Sequence, residues 1–489
     1  MTTTTRTHHP ASPTGRDSFG RLLLAEWTKL RSVRRWVLGL LAAAVLTIVI
    51  SLLAAAGSGT DANQEPNFVV GPDGQPVVDD FHFVHRSLSG DGSVTARVLT
   101  QENSHQWAGA GVMLKQSTVS GSPYAAIMVT PRHGVRLRSN FTTDLPGGAD
   151  TVPRWLRLTR SGTSVTGYES ADGVAWRKVG TVDLHGLPQS VEIGLFVSSP
   201  PDVVIERQAG STSVGGRPTS GTATFDNVRV EAAQPQQSAS WANENVGRSP
   251  ARGEATEMGG TFTVTGSGEI APNPPPDDVV QISLFGAFVG LMAIVAVGVL
   301  FITSEYKRAM IRTTFAASPR RGRVLAAKAI VIGVATFAVG MVASVTAFVL
   351  AQPILRENGF APPAFPRPSL SEGPVLRAVV GTAAFLAVVA VFSLGVGALL
   401  RRSAGAISAV IALLVLPVII ASVLPLPAAR WLMRVTPAGG FAIQRAKEPT
   451  EALVEPWSLI GPWTGFGVLC AYAAVSLAVA FWLLRGRDA

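Results

Sequence analysis

Residues 36–56 read WVLGLLAAAVLTIVISLLAAA and contain no charged residue. A second uncharged stretch, VVQISLFGAFVGLMAIVAVGVLFIT, covers residues 279–303. Each stretch is long enough to cross a ~30 Å hydrocarbon layer as a helix, which takes roughly 20 residues. Residues 57–278, which lie between them, read as short strands, turns and Pro/Gly-rich linkers. The two stretches therefore predict a membrane protein with a large water-soluble insert.

Hydropathy predicts four further spans, and the charges of the loops predict their orientation. The segments 1–35, 304–323, 401–402 and 485–489 together hold 17 basic and 4 acidic residues. With six spans, all four segments fall on one side, which the positive-inside rule makes the cytoplasm. We therefore expect a multi-pass protein of the plasma membrane with both termini cytoplasmic and the insert outside. The six predicted spans are Trp36–Ala56, Val279–Thr303, Val324–Ala351, Ala378–Leu400, Ser403–Leu424 and Pro462–Leu484.

A cleaved signal peptide ending near residues 54–56 is the alternative for the first span, but the apolar run is too long for one. The insert carries a net charge of −7 and the rest of the chain +16, so the basic character belongs to the membrane part. This basic character indicates the orientation of the protein in the membrane, and we expect no nucleic-acid partner. Cys470 is the only cysteine, so the insert must be stabilised by its core without disulfides.

The predicted spans lack the residues that ion-driven carriers use. No Asp, Glu, His, Lys or Arg lies near the middle of a span, and Lys328 and Arg377 are close enough to an end to snorkel. None of the six lysines follows a glycine, so the chain has no phosphate-binding P-loop. We assign no catalytic residue, metal site or cofactor to this chain. If transport is driven by ATP, a separate polypeptide hydrolyses it.

The loop after the second span reads SEYKRAMIRTTFAASPRRGRVLAAK over residues 304–328, and residues 26–31 read EWTKLR. Both resemble the membrane subunits of type-2 ABC exporters, and the resemblance covers residues ~15–56 and ~279–489. Ala309 and Met310 stand where that family has Gly and Thr. The resemblance implies a partner ATPase that binds ATP and Mg²⁺, and a second permease subunit, identical or different. It also implies that residues 305–323 form a coupling helix docked on the ATPase. Its candidate contacts are Glu305, Arg308, Arg312, Arg320 and Arg321.

Residues 18–35 place apolar side chains at helical spacing with basic residues around them. This pattern predicts an amphipathic helix at the inner lipid interface, including Glu26, Trp27 and Lys29, with Trp27 at headgroup depth. A plain positive-inside anchor is the alternative. On the other side, residues 436–441 carry a Pro-Gly-Gly break, and the family resemblance implies short re-entrant helices there.

Residues 79–231 alternate apolar and polar positions in many short segments, which predicts an all-β sandwich. Phrases such as LSGDGSVTAR at 88–97 and WLRLTRSG at 155–162 resemble a concanavalin A-like jelly-roll module. The similarity breaks around residues 200–220, where we expect an added loop. Residues 57–78 and 232–278 are predicted to be linkers, the second with one short strand at Gly260–Gly266.

Three tryptophans of the insert, Trp107, Trp155 and Trp176, are candidate carbohydrate contacts, and cell-wall polysaccharide is the partner they would imply. The alternative is that they belong to the core. His82 and His85 are three apart on a strand and face opposite sides, which argues against a shared metal ion. Three aspartates would form a calcium site only if the first and last strands pair, and solvated surface is the alternative. They are Asp79, Asp80 and Asp226.

These patterns favour the permease subunit of an ATP-driven ABC exporter that works by alternating access. The second reading is a membrane-anchored polysaccharide-binding or sensory protein, although six spans exceed what an anchor needs. An external glycosidase is the third reading, and no pair of carboxylates supports it.

Overall fold

The structure is a computed structural model, and it describes residues 19–59, 69–103, 105–149, 152–208, 211–233, 240–248, 253–275, 277–307, 321–447 and 459–486. Within these ranges the chain forms helices at both ends and a large β unit between α2 and α3. The helices are α1 (Phe19–Ser32), α2 (Arg34–Gly57), α3 (Val279–Leu284), α4 (Ala287–Lys307), α5 (Arg321–Glu357), α6 (Gly373–Leu400), α7 (Ser403–Ala421), α8 (Leu426–Val435) and α9 (Pro462–Gly486).

Six helical segments are long and apolar enough to cross a membrane, and each contains one predicted span or most of it. The second is broken at residues 285–286 into α3 and α4. Gly286 lies in this break and packs directly against α2. Any residue with a side chain would not fit there, because its Cβ would overlap the carbonyl oxygen of Thr47. Instead, the Gly286 N–H donates to Ser51 Oγ at 3.0 Å. A glycine is therefore required where α2 and the second span touch.

The helices share one apolar core. Leu40 of α2, Leu291 and Val295 of α4, Ile332 of α5 and Val389 of α6 belong to it and are all buried. Helix α5 has 37 residues, which corresponds to roughly 55 Å at 1.5 Å per residue. It therefore extends past the predicted span at both ends. A short 3-10 helix, Pro437–Gln444, follows α8, and all eight of its residues are buried.

The β unit is a sandwich of two seven-stranded sheets in which all described pairings are antiparallel. The first has the order β11-β10-β9-β4-β15-β18-β17, and the second β16-β3-β12-β5-β6-β7-β8. A three-stranded sheet, β1-β2-β19, and the hairpin β13-β14 complete it. The strands are β1 (Val69–Val70), β2 (Pro76–Asp79), β3 (Phe81–Ser89), β4 (Gly92–Asn103), β5 (Gly109–Lys115), β6 (Tyr124–Thr130), β7 (Gly134–Ser139), β8 (Thr143–Pro146), β9 (Arg154–Ser161), β10 (Ser164–Ser170), β11 (Arg177–Asp183), β12 (Ser190–Ser198), β13 (Asp202–Gln208), β14 (Ser211–Arg217), β15 (Gly221–Ala232), β16 (Ala242–Val246), β17 (Glu254–Met258), β18 (Thr261–Gly266) and β19 (Ile270–Pro272).

The second large sheet is apolar on both faces. Val112, Ile127 and Leu195 face the interior of the sandwich. Their strand neighbours Met113 and Phe196 belong to a separate apolar cluster that includes Val77 of β2 and Ile270 of β19. The small three-stranded sheet therefore contributes to covering the outer face of the second sheet.

Both predicted linkers contain strands of the β unit, so the sheets extend beyond the predicted bounds of 79 and 231. Strand β16 pairs with β3, and β17 and β18 extend the sheet beyond β15. The two chain ends of the insert also meet, because Val78 of β2 is paired with Ala271 of β19. Strand β17 leaves four of its five residues exposed. An edge strand with this pattern lacks the apolar alternation by which strands are recognised in a sequence. The loop expected at 200–220 contains the hairpin β13-β14.

Candidate functional site

Four charged side chains meet where α1, α4 and α5 approach one another. Lys328 Nζ lies 2.7 Å from Glu26 Oε2 and 2.7 Å from Glu305 Oε1. Lys29 is ion-paired with the same oxygen of Glu305. The Glu26, Glu305 and Lys328 side chains are at most 5% exposed, whereas Lys29 is 32% exposed. We call these four residues the charge network.

The charge network balances two carboxylates against two ammonium groups. Such a buried set contributes little net stability, because desolvation of the ions offsets their attraction. Removing one member is costly, since it leaves an uncompensated buried charge, and the typical penalty is about 3–5 kcal/mol. Lys328 also lies 5.0 Å from the ring centroid of Phe301, and Glu305 Oε2 is buried without a hydrogen-bond partner among the described residues. The network is therefore sensitive to small displacements of any of its three helices.

Helix α1 is attached to the bundle by one face. Glu26 and Leu30 are buried on that face, while Leu24 is 66% and Trp27 43% exposed. The exposed pair gives α1 an apolar outer side, which is the feature expected of a helix that also lies against lipid. Helix α1 is thus held to the bundle partly by ion pairs.

Lys29 is the network member closest to solvent, and its pKa is lowered. Burial and the neighbouring Lys328 ammonium lower the pKa of Lys29 from 10.5 to about 8. The pKa of a lysine falls when desolvation disfavours its charged form. Moderately alkaline pH therefore weakens the ion pair between Lys29 and Glu305.

The predicted coupling residues do not share one environment. Glu305 was expected to contact an ATPase, but its side chain is buried and paired with Lys328, because α4 continues to Lys307 and keeps Glu305 inside the bundle. Arg308, Arg312 and Arg320 lie outside the described residues. Arg321 begins α5, and its side chain also lies outside what is described.

Lys328 was expected to reach out of the membrane, and this expectation is wrong. Its side chain is 1% exposed and bound to two carboxylates. The sequence signal that was missed is a set of opposite charges on faces that the fold brings together. Glu26 and Lys29 are three residues apart and so share one face of α1. Lys328 is an uncompensated cation one to two turns inside a span, for which a partner is expected.

A second polar cluster joins the insert to the loop between α8 and α9. The Asp278 carboxylate caps the first turn of α3 and also accepts the N–H groups of Ala446 at 2.7 Å and Lys447 at 3.1 Å. Lys447 Nζ donates to the Pro275 carbonyl at 2.6 Å. Burial lowers the pKa of Lys447, and the Asp278 carboxylate opposes this shift. The segment leaving the sandwich is therefore fixed to the loop next to the buried 3-10 helix. Arg377, the other residue expected to snorkel, donates to the carbonyl of Arg445 at 2.9 Å.

None of the three tryptophans proposed for carbohydrate contact belongs to the apolar core between the sheets, and Trp155 and Trp176 both lie against Gly173. Each ring has a cationic side chain against it. The guanidinium carbons of Arg138, Arg97 and Arg157 lie 5.2, 5.5 and 3.9 Å from the ring centroids of Trp107, Trp155 and Trp176. Trp107 also stacks on His133 with centroids 3.4 Å apart. A sugar ring stacking on these indoles would have to compete with side chains already in place.

The insert residues considered as ion ligands have other partners. Asp226 pairs with Arg97, and Asp79 Oδ2 lies 2.7 Å from Lys115 Nζ in a fully buried pair. His85 contacts the carboxylates of Glu192 at 2.6 Å and Glu244 at 3.0 Å. His82 instead contacts Asn245 at 3.0 Å. Among the described residues no group of three or more His, Cys, Asp or Glu side chains is arranged to hold a metal ion.

Comparison with known proteins leaves this chain without an assigned family. No protein-family model matches it, and no curated protein does. A functionally unknown protein from Saccharomyces cerevisiae is similar over 37% of this chain and 99% of its own, with 16% identity and a TM-score of 0.23. Scytalido-glutamic peptidase is similar over 38% of this chain and 98% of its own, with 10% identity and a TM-score of 0.27. At these scores the similarities support no conclusion about fold or activity.

Proposed function

We propose that this chain is the membrane-spanning permease subunit of an ATP-driven ABC exporter. Two permease subunits would alternate between inward and outward access, powered by a separate ATPase that binds ATP and Mg²⁺. The inserted sandwich, which we propose is of the concanavalin A-like jelly-roll type, would lie on the outer surface. Support comes from the six apolar helices, the loop charges and the resemblance of residues 304–328 to the coupling segment of that family.

The observation that carries this proposal is the position of the charge network. Glu305 and Lys328 lie on either side of residues 308–320 in the sequence, and they are ion-paired to each other 2.7 Å apart. Both ends of the predicted coupling segment are therefore tied together and to α1. A push on the segment would then move α1, α4 and α5 as one unit. Glu305 would act as a positioning residue within this unit, leaving direct ATPase contact to Arg308, Arg312, Arg320 and Arg321.

The proposed orientation can be tested by labelling. In a Cys470→Ala background, a cysteine at Val174, which is 82% exposed in the sandwich, should react with a membrane-impermeant maleimide in intact cells. A cysteine at Arg31, exposed on α1, should react only after the cells are opened. Labelling of the Arg31 position in intact cells, or protection of the Val174 position, would refute the assignment of sides.

The proposed activity can be tested with two matched variants. Lys328→Met breaks the charge network, whereas Arg356→Met removes an exposed cation from the other end of the same helix. Both tagged chains should be purified with their ATPase partner, and ATP hydrolysis should be measured in lipid nanodiscs. We expect loss of hydrolysis or of its coupling to transport in Lys328→Met alone. Equal behaviour of both variants would contradict a role for the network in coupling.

A further inference from the structure

The sandwich contains a cavity that the permease proposal does not use. It has a volume of about 340 Å³ and lies between the outer face of the second large sheet and strand β19. Its walls include the aromatic side chains of Trp107, Tyr124 and Phe141. Pockets that hold small molecules typically start at about 300 Å³. The cavity thus has room for one small ligand against an aromatic wall.

Glu269 supplies a negative group to this cavity. Its carboxylate makes no hydrogen bond to any described residue, and burial raises its pKa while the charges of His105 and Arg138 act against the rise. A partly desolvated carboxylate without a hydrogen-bond donor is unfavourable. A ligand that brings a donor, and above all an ammonium group, would remove that cost.

Arg138 supplies a positive group to the same cavity. Its Nε lies 3.3 Å from Asp144 Oδ2 but makes no hydrogen bond within the described part of the chain, and Asp144 is shared with Arg136 at 2.8 Å. One carboxylate therefore serves two guanidinium groups, so Arg138 keeps donors for an acceptor that enters the cavity. Glu269 and Arg138 are opposite charges on the lining of one small space, each with unused bonding capacity.

We propose that this cavity binds a small zwitterion of the amino-acid type. The ligand's ammonium would bind Glu269, its carboxylate would bind the Arg138 guanidinium, and its apolar part would contact Trp107 and Phe141. A ligand with a single charge satisfies one of the two groups and is repelled by the other. An uncharged polyol would form neither of these two ion pairs. This inference is independent of the permease proposal.

The test uses the full chain in nanodiscs and isothermal titration calorimetry. The zwitterionic probes are L-phenylalanine and the dipeptide phenylalanylglycine, which separate the two charges by different distances. Phenylalanine amide and N-acetylphenylalanine carry one charge each, and methyl glucoside carries none. We expect one of the zwitterions to bind at least about tenfold more tightly than the three control compounds. Each control compound lacks at least one of the two charge-assisted contacts.

Variants locate the site. Glu269→Gln and Arg138→Gln should each weaken binding of the preferred zwitterion by at least about tenfold. Glu257→Gln and Arg132→Gln, which alter exposed residues of the same sandwich, should leave it unchanged. Absence of zwitterion binding would overturn the proposal. Equal or tighter binding of the amide, the acetyl derivative or the glucoside would also overturn it, as would binding insensitive to both cavity variants.

Discussion

Replacing Lys328 by Met should release α1 from the helical bundle. The substitution keeps the apolar stem and removes only the ammonium group that lies 2.7 Å from both Glu26 and Glu305. Two buried carboxylates then share a single cation, Lys29, which is itself partly exposed. Because both carboxylates are nearly inaccessible, water cannot solvate them unless the helices move apart.

The magnitude follows from the geometry of the network. At an effective dielectric constant of about 20 and a charge separation of about 4 Å, each ion pair is worth about 4 kcal/mol. Lys328 takes part in two such attractions and one repulsion with Lys29, so its net loss is about 4 kcal/mol, within the range of about 3–5 kcal/mol for a broken buried pair. Since 1.4 kcal/mol corresponds to tenfold, the opening equilibrium of α1 should rise by roughly a thousandfold.

Limited trypsin digestion of the detergent-solubilised chain measures this opening. Cleavage after Arg21 or Arg31 of α1 should accelerate by at least about a hundredfold in Lys328→Met, because proteolysis follows the population of the open form. Arg356→Met, with an exposed cation removed from the same helix, should be cleaved in α1 at the wild-type rate.

A double variant separates the network from a general packing defect. Glu26→Gln combined with Lys328→Met leaves the neutral pair of Glu305 and Lys29, so it should recover at least about 2 kcal/mol relative to Lys328→Met alone. If Lys328→Met changes α1 cleavage by less than about tenfold, the ion pairs do not hold α1 and the reasoning is refuted.

Three further predictions concern the other polar contacts. The Lys29 pKa of about 8 lies below its value of 10.5 in an unfolded chain, so the folded chain releases this proton first and the free energy of unfolding should rise between these pH values; Lys29→Met should reduce the rise in thermal melts. Asp278→Ala removes the cap of α3 and the acceptor for two N–H groups of the loop between α8 and α9, and should lower stability by about 1–2 kcal/mol with faster hydrogen exchange at residues 446–447. Lys115→Met leaves Asp79 as an unpaired buried charge and should lower the free energy of unfolding of the sandwich by about 3–5 kcal/mol. Lys115→Met with Asp79→Asn should recover part of this loss.

The apolar spans were predictable because length and hydropathy alone decide them. Each predicted span coincides with a helix that is long and apolar enough to cross a membrane. The antiparallel sandwich was also predictable from alternation, since strands such as β9 bury every second residue along most of their length. The ends of α5 and the break between α3 and α4 were not predictable from the sequence. They depend on which helix packs beside them, as at Gly286.

The polar contacts were harder to predict because they join residues far apart in the sequence. Glu26 and Lys328 are 302 residues apart, and no local pattern shows that their helices meet. Strand β18 was predicted as Gly260–Gly266, whereas β16 and β17 were missed because exposed edge strands carry little apolar signal. The three tryptophans were correctly placed in the sandwich, but the arginines that contact their rings come from strands β4, β7 and β9.

The most direct test of the permease proposal is the composition and activity of the native complex. The tagged full chain should be purified in mild detergent from the membranes of its own host, and its partners should be quantified by mass spectrometry alongside ATP hydrolysis. We predict an equimolar P-loop ATPase and ATP hydrolysis that Lys328→Met reduces and Arg356→Met does not. A chain recovered from intact membranes without any ATP-binding partner, and without associated ATP hydrolysis, would contradict the proposal.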